Sequence, residues 1–317
     1  MSPARVKVDV GGRTLSLSNL DKVLYPAADF TKGEVIDYYV RAAPALLAHV
    51  EHRAATRTRW PDGVEAGSFF EKNAPSHTPG WVRTVTLPSP GSTRNREEIT
   101  YVVVDDLPTL VWCANLAVLE LHVPQWTVGP RGAVRPPDLL VLDLDPGEGT
   151  DIVQCCEVAL ELRDELAADG LTAVPKTSGS KGMQLYAPVA TGSKHASGHT
   201  RSGDAATSAY ARLLAERLER RHPDRIVSRM TKQLRTGKVL IDWSQNNPAK
   251  TTVAAYSLRA RPDPTVSTPV SWDEVEACRT ATDLTFRAGD VLDRLDSLGD
   301  LFAGTRADDA PALPTLT

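Results

Sequence analysis

Several things are scarce in this sequence, and each scarcity excludes a class of protein. Four cysteines occur in 317 residues, Cys113, Cys155, Cys156 and Cys278, and no two form a C-x-x-C pair. That excludes a zinc ribbon and a thioredoxin-type site and leaves four reduced thiols. No apolar run reaches the roughly 18 residues that a membrane-spanning helix needs. Met1–Val10 has neither the apolar stretch nor the small-residue cleavage site of a secretory signal, so a cytoplasmic location is expected. Positive charge is not in excess either: 36 Lys and Arg stand against 40 Asp and Glu, a net −4. A globally basic nucleic-acid binder is therefore excluded, while a local basic surface is not. Residues 201–250 do hold 11 basic against 5 acidic residues. A solvated helix face carrying Arg212, Arg217, Arg220 and Arg221 accounts for much of that excess.

What is present reads as an α+β fold. Hydrophobic residues make up 41% and charged residues 24%, enough apolar chain for a substantial core. Val6, Val8 and Val10 alternate into Gly11-Gly12, and Leu15 and Leu17 alternate back, which predicts a hairpin. Thr31 and Glu34 form a capping box that opens a helix to about residue 50. Short strands are expected near 54–60, 67–72, 81–87, 99–104 and 121–128, with a helix from Asp106 to about residue 119. Leu139–Leu144 is suited to a buried strand. A helix capped at Thr150/Asp151 follows, carrying Cys156, Ala159, Leu162 and Leu166 on one face. Further strands are expected at 172–176, 182–189, 239–243 and 253–261, and a helix carries Tyr210, Leu214 and Leu218. Residues 191–204 read as a loop. Residues 1–304 form one domain in this reading, and 305–317 a disordered tail.

Four stretches carry chemistry. In Leu-Asp143-Leu-Asp145-Pro the two carboxylates lie at i and i+2 of a strand and so share a face. They repel each other unless a cation sits between them, and hard divalent cations prefer oxygen ligands. In Val-Leu-Ile-Asp242-Trp a third Asp lies inside another apolar strand. It needs a metal or a partner such as Lys238. Three such carboxylates suit two-metal chemistry. Thr177-Ser178-Gly179-Ser180-Lys181-Gly182 is a small-residue loop whose backbone N–H groups can approach an anion, with Lys181 as a point charge. It lacks Walker A spacing. Tyr256-Ser-Leu-Arg259-Ala-Arg261 would place two arginines on one strand face, for phosphate or for surface ion pairs.

Together with Leu-Asp21-Lys22-Val-Leu-Tyr-Pro, Arg59-Trp-Pro-Asp-Gly, Phe69-Phe70-Glu-Lys, Leu-His122-Val-Pro-Gln-Trp and Asp242-Trp-Ser-Gln245-Asn, this set closely resembles bacterial ligase D polymerase domains. These belong to the archaeo-eukaryotic primase superfamily and act in non-homologous end joining. The resemblance runs from about Val10 to Asp300. It implies a primase-polymerase catalytic core of mixed β-sheets flanked by helices. It implies Asp143, Asp145 and Asp242 as ligands of two divalent ions, Mn²⁺ or Mg²⁺, with no zinc. Ser178, Lys181, Gln245 and Arg259 would hold a nucleoside triphosphate, with His122 near the nucleotide. Phe69 and Phe70 would stack on the templating base or duplex end. Lys22, Lys32 and Arg59 would grip the 5′-phosphate of gapped or broken DNA. Ribonucleotides would be accepted at least as readily as deoxyribonucleotides.

The sequence departs from the resembled pattern at Gln184, where the second motif normally ends in His. Glutamine donates a hydrogen bond but carries no charge. No K-x-D-G ligase motif is present, so a separate ligase and a Ku-type end-binding protein would be needed. Two other readings start from the same residues. A haloacid-dehalogenase-like phosphatase also begins with apolar-Asp-x-Asp, but Pro146 stands where Thr or Val is usual there. A non-catalytic DNA-end binder would bind ends and extend nothing in any metal.

Overall fold

The structure, a computed structural model, describes residues 5–89, 97–191, 202–306 and 309–314. Alternation along one strand organises it. In Leu139–Pro146, the side chains of Leu140, Leu142 and Leu144 share a face and pack with Cys155, Ala159 and Leu162 of the helix Ile152–Ala168. Val141, on the other face, belongs to a different core. Asp143 and Asp145 continue Val141's face, because successive residues of a strand point to opposite sides. The apolar face thus anchors the strand, and the acidic face is left for a site.

That strand is the centre of a five-stranded sheet. The order is Val174–Thr177, Met183–Pro188, Leu139–Pro146, Val239–Asp242 and Ile226–Val227. Its pairs are antiparallel except the last, which is parallel. A six-stranded sheet runs Thr252–Val253, Val118–Val123, Ala54–Arg59, Glu98–Val103 and Thr84–Pro88, with Phe69–Glu71 also paired to Ala54–Arg59. The core between them draws Leu139, Val141 and Tyr186 from the first sheet and Ala55, Leu119, Leu121 and Val123 from the second. The helix Lys32–Val50 closes it with Val35, Tyr38, Tyr39, Ala42 and Leu46. Two of its buried tyrosines are satisfied by backbone: Tyr38 donates to Tyr256 O at 2.8 Å and Tyr39 to Leu119 O at 2.6 Å. Mixed sheets flanked by helices are therefore the observed architecture, as the α+β reading expects.

Thr31 and Glu34 close a full capping box and Asp151 caps its helix, as the sequence reads. Gln154 completes a box with Asp151, and Ser271 with Glu274 makes a further one. Arg5–Val10 and Arg13–Ser18 pair with Val8 opposite Leu15. The Arg-rich helix Ser202–Arg221 is neutralised at its surface. Arg217 and Arg221 each reach Glu165 at 2.8 Å, and Arg212 reaches Glu216 at 2.7 Å. All four cysteines are free and buried. No described helix is long and apolar enough to cross a membrane.

Four expectations are corrected. The helix starting near Asp106 ends at Asn115, and Ala117, with φ 58°, turns the chain into the next strand. The strand expected at 121–128 is two, Val118–Val123 and Trp126–Val128, separated at Pro124, which has no N–H for a ladder. The strand expected at 253–261 is only Thr252–Val253. Tyr256 takes φ 65°, and beyond it the segment is joined to its neighbour by a single bridge, Leu258 to Val266. The tail is not structureless where it is described. Ala303–Arg306 makes a 3-10 turn, Ala312 bridges Ala190, and Leu313 packs on the second core. Most of the loop read at 191–204 (192–201) lies outside the described residues.

Candidate active site

The three aspartates converge. Asp143 pairs directly opposite Asp242 across the sheet, and Asp145 lies two residues further along the same face. One carboxylate oxygen from each lies within 4.8 Å of the other two. Burial raises the Asp143 carboxyl above the ordinary carboxylate range, and Asp145 and Asp242 add to it, while the Gln184 hydrogen bond and the Lys176 charge oppose them. Asp145 is raised by burial and then by Asp242, partly offset by Arg235. Asp242 is held in place by Ser244 N at 2.9 Å and Oγ at 2.5 Å, and by Gln245 Nε2 at 2.8 Å. Its only ion pair among the described residues is Lys250, at 3.8 Å. Lys238, the alternative partner, instead donates to Pro223 O at 2.5 Å. Three carboxylates held together with this little cationic compensation, Asp145 only half-buried, form an all-oxygen donor set of the kind that hard divalent cations prefer.

The loop between the strands Val174–Thr177 and Met183–Pro188 is pressed onto the acidic strand. A Cβ at Gly182 would lie 2.0 Å from Leu144 O, and one at Gly179, where φ is 68°, would lie 2.6 Å from Val266 C and from Arg259 Cγ. Only glycine allows that approach. Ser178 Oγ accepts from the N–H groups of Ser180 and Gly182, each at 3.2 Å, and so curls the loop on itself. Arg259 donates to Ser178 O at 2.5 Å, and Arg261 to Ser180 Oγ. The arginines reach the loop, although the strand expected to carry them is absent.

Glu120, which the sequence reading did not single out, sets the opposite wall. It lies on Val118–Val123, two residues before His122, and accepts from His122 Nε2 at 2.8 Å, Arg259 Nε at 3.0 Å and Ala260 N at 3.0 Å. Burial works to raise its pKa, but the His122 hydrogen bond and the Arg259 charge outweigh it and hold the carboxyl at about 2. A Glu inside Val-Leu-Glu-Leu-His was the available signal, since a carboxylate in an apolar strand needs partners. Lys176 in Val-Pro-Lys-Thr is the same kind of signal. A cavity of about 440 Å³ opens between these walls. It is lined by His122, Asp143, Asp145, Ser178, Lys181, Gln184, Gln245 and Arg259, a size and polarity suited to a nucleotide. The residues expected at the nucleotide are thus brought together, and Asp242 stands opposite Asp143 in the sheet.

The second expected group lies around the start of the first long helix. Lys32, at its first turn, is 5% exposed and donates to Ser18 O at 2.6 Å. Burial first, then the charges of Lys22 and Arg59, lower its pKa to about 8, so the three cations are electrostatic neighbours. Arg59 is committed to Glu71 Oε1 at 2.7 Å and Leu116 O at 2.8 Å. Lys22 contacts Asp62 at 2.7 Å with 39% of its side chain exposed, the most accessible of the three that are paired or buried. Phe69 and Phe70 are each 57% exposed on a three-residue edge strand, so neither is core. Just beyond them Lys72 reaches Ala249 O at 3.4 Å, beside the Asp242 segment.

A family model for the LigD primase-polymerase domain matches residues 31–302. The multifunctional non-homologous end joining protein LigD of Mycolicibacterium smegmatis is 44% identical over 301 residues, covering 95% of this chain and 37% of that protein. The bifunctional non-homologous end joining protein LigD of Bacillus subtilis is 32% identical over 285 residues, 90% of this chain and 43% of that protein. The chain thus spans about two fifths of the length of these relatives. Among solved structures, the polymerase domain of Mycobacterium tuberculosis ligase D in complex with DNA superposes with a TM-score of 0.82 at 41% identity. That match covers 94% of this chain and 99% of the solved one. With sequence, family model and fold in agreement over nearly the whole length, the chain belongs to the LigD primase-polymerase domain family.

Proposed function

We propose that this chain is a template-directed nucleotidyltransferase that fills gaps and extends broken DNA ends in non-homologous end joining. It uses ribonucleoside triphosphates at least as well as deoxyribonucleoside triphosphates. The observation that carries this reading is the carboxylate trio within 4.8 Å, of which Asp143 and Asp145 line a cavity walled by the Ser178–Gly182 loop. Asp143, Asp145 and Asp242 would hold two divalent cations, Mg²⁺ or Mn²⁺. When bound, such cations supply activation of the attacking oxygen and stabilisation of the leaving one. The chain's own residues bind and orient. Lys181 and the loop N–H groups take triphosphate oxygens, and Arg259, held in line by Glu120, adds a fixed charge beside them. Gln245 ties Asp242 to the nucleotide side of the cavity, and His122 borders the nucleotide. The 3′-hydroxyl gives up its proton to solvent, its oxygen forms a bond to the α-phosphorus, and the bond to diphosphate breaks, releasing it.

DNA would lie along the outer surface. Phe69 and Phe70 offer stacking faces, and Lys22, Lys32 and Arg59 supply charge for a 5′-phosphate. The ligase D polymerase domain that shares this fold was solved with DNA, which favours that placement. Sealing by a ligase and end bridging by a Ku-type protein would come from elsewhere, with the chain acting at the nucleoid. The family assignment and the third carboxylate across the sheet leave the phosphatase reading without support.

The test is primer extension on a gapped, 5′-phosphorylated duplex, with matched ribo- and deoxyribonucleotides in Mg²⁺ and in Mn²⁺. Templated addition of ribonucleotides at least as fast as deoxyribonucleotides is expected. No addition in either metal would refute the proposal. A strong deoxy preference across all four bases would refute its sugar choice.

A further inference from the structure

We infer that Lys176 is a positioning residue of the metal site, acting through Gln184 on Asp143. Its role rests on the nucleotidyl-transfer reading above. Strand register sets it. Lys176 pairs with Gln184, Gln184 with Asp143, and Asp143 with Asp242, across four neighbouring strands. Directly opposed residues share a face of the sheet. The four side chains therefore form one row, with the lysine at one end and two aspartates at the other.

Lys176 is fully buried. Its Nζ donates to Gln184 Oε1 at 2.6 Å and to Ser267 Oγ at 2.6 Å, and lies 5.5 Å from the Tyr186 ring centre. Ser267 Oγ passes its own hydrogen to Thr177 O at 2.8 Å, so towards Lys176 it is an acceptor. The Tyr186 hydroxyl approaches the same Gln184 oxygen at 3.3 Å. Burial pulls the Lys176 pKa well down, and the Asp143 charge works against that; as ammonium or as amine, Nζ has hydrogens for both oxygens. The lysine fixes the Gln184 amide with its oxygen toward Nζ, which leaves the NH₂ for the side of Asp143, the residue directly opposite. A flipped amide would turn its oxygen on a carboxylate that already faces two others. Lys176 thereby fixes the group that faces Asp143 from the neighbouring strand. Groups that orient metal ligands from behind in this way commonly set metal affinity.

The test is a double-mutant cycle with Lys176→Met, Gln184→Leu and both, read by calorimetric titration of Mn²⁺ and by thermal melting of the full chain. Lys176→Met should weaken Mn²⁺ binding about tenfold. In the Gln184→Leu background it should add no further loss, because the lysine acts through the glutamine. Gln184→Leu alone should melt below wild type, since it takes a partner from the buried Lys176 Nζ, and the double variant should recover part of that loss. Primer extension by Lys176→Met should return as Mn²⁺ is raised, which a folding defect would not allow. Wild-type Mn²⁺ affinity in a folded Lys176→Met variant would overturn the inference, as would a full tenfold penalty in the Gln184→Leu background. If the cycle behaves as expected but wild type extends no primer, the functional reading fails and the row stands.

Discussion

Replacing Glu120 by Gln keeps the shape of the side chain and removes its charge. In the wild type, Oε1 accepts from Arg259 Nε and Ala260 N, and Oε2 accepts from His122 Nε2. Glutamine can keep the first pair only by turning its NH₂ toward His122. The imidazole must then accept where it had donated. The carboxyl is 11% exposed, so little solvent screening applies. Its pKa falls from 4.5 to about 2 on folding, equivalent to about 3 kcal/mol of stability at neutral pH. Loss of hydrogen bonds to a charged group gives a similar figure, about 1.5–3 kcal/mol. Because the folded pKa is depressed, this stabilisation is complete above about pH 4.5 and is lost as pH falls toward 2. Urea unfolding of wild type and Glu120→Gln should therefore differ by about 3 kcal/mol at pH 7 and by about 1 kcal/mol at pH 3. The nucleotide KM should rise as well, since Arg259 loses its anchor. An equal stability difference at both pH values would refute the assignment of Glu120 as the charged anchor of this wall.

Further consequences can be checked separately. Burial and mutual repulsion raise the Asp143 carboxyl, so metal-free wild type should lose stability as pH rises above about 4, where unfolded aspartates are already ionised. Asp143→Asn should raise the metal-free melting temperature at pH 8, and a lower one would contradict the packing described. Phe69→Ala/Phe70→Ala should weaken binding to a gapped duplex about tenfold or more, given about 1–3 kcal/mol per stacked base. Its melting temperature should not change, because both rings are exposed. Lys22→Ala should remove about tenfold of any preference for a 5′-phosphorylated gap in a binding titration. The buried Lys32, which also holds Ser18 O, should cost stability in addition when removed.

The acidic strand was legible because its two faces differ in kind: leucines at 140, 142 and 144, acids at 143 and 145. Asp242 was legible as a lone carboxylate in an apolar run. The Ser178–Gly182 loop was visible from its glycines, and the close approaches at Gly179 and Gly182 show why glycine is needed there. What the residues did not reveal was who stands opposite whom. Register is decided by pairing between distant segments, so nothing local puts Lys176 and Gln184 in line with Asp143. The alternation at Tyr256, Leu258 and Ala260 imitated a strand. The left-handed turn at Tyr256 ends it, and the alternation instead seats Leu258 against Val266. Lys250 stands eight residues beyond Asp242 in a polar stretch, and only folding brings it within 3.8 Å.

The central claim is that the carboxylate trio performs nucleotidyl transfer and does not merely sit in a DNA-binding cleft. The most direct measurement compares wild type with Asp143→Asn/Asp145→Asn for two properties: binding to a gapped, 5′-phosphorylated duplex, and single-nucleotide addition in Mn²⁺. The account predicts a folded variant that binds the gap as wild type does and adds no nucleotide. Substantial addition by the folded double variant would contradict it.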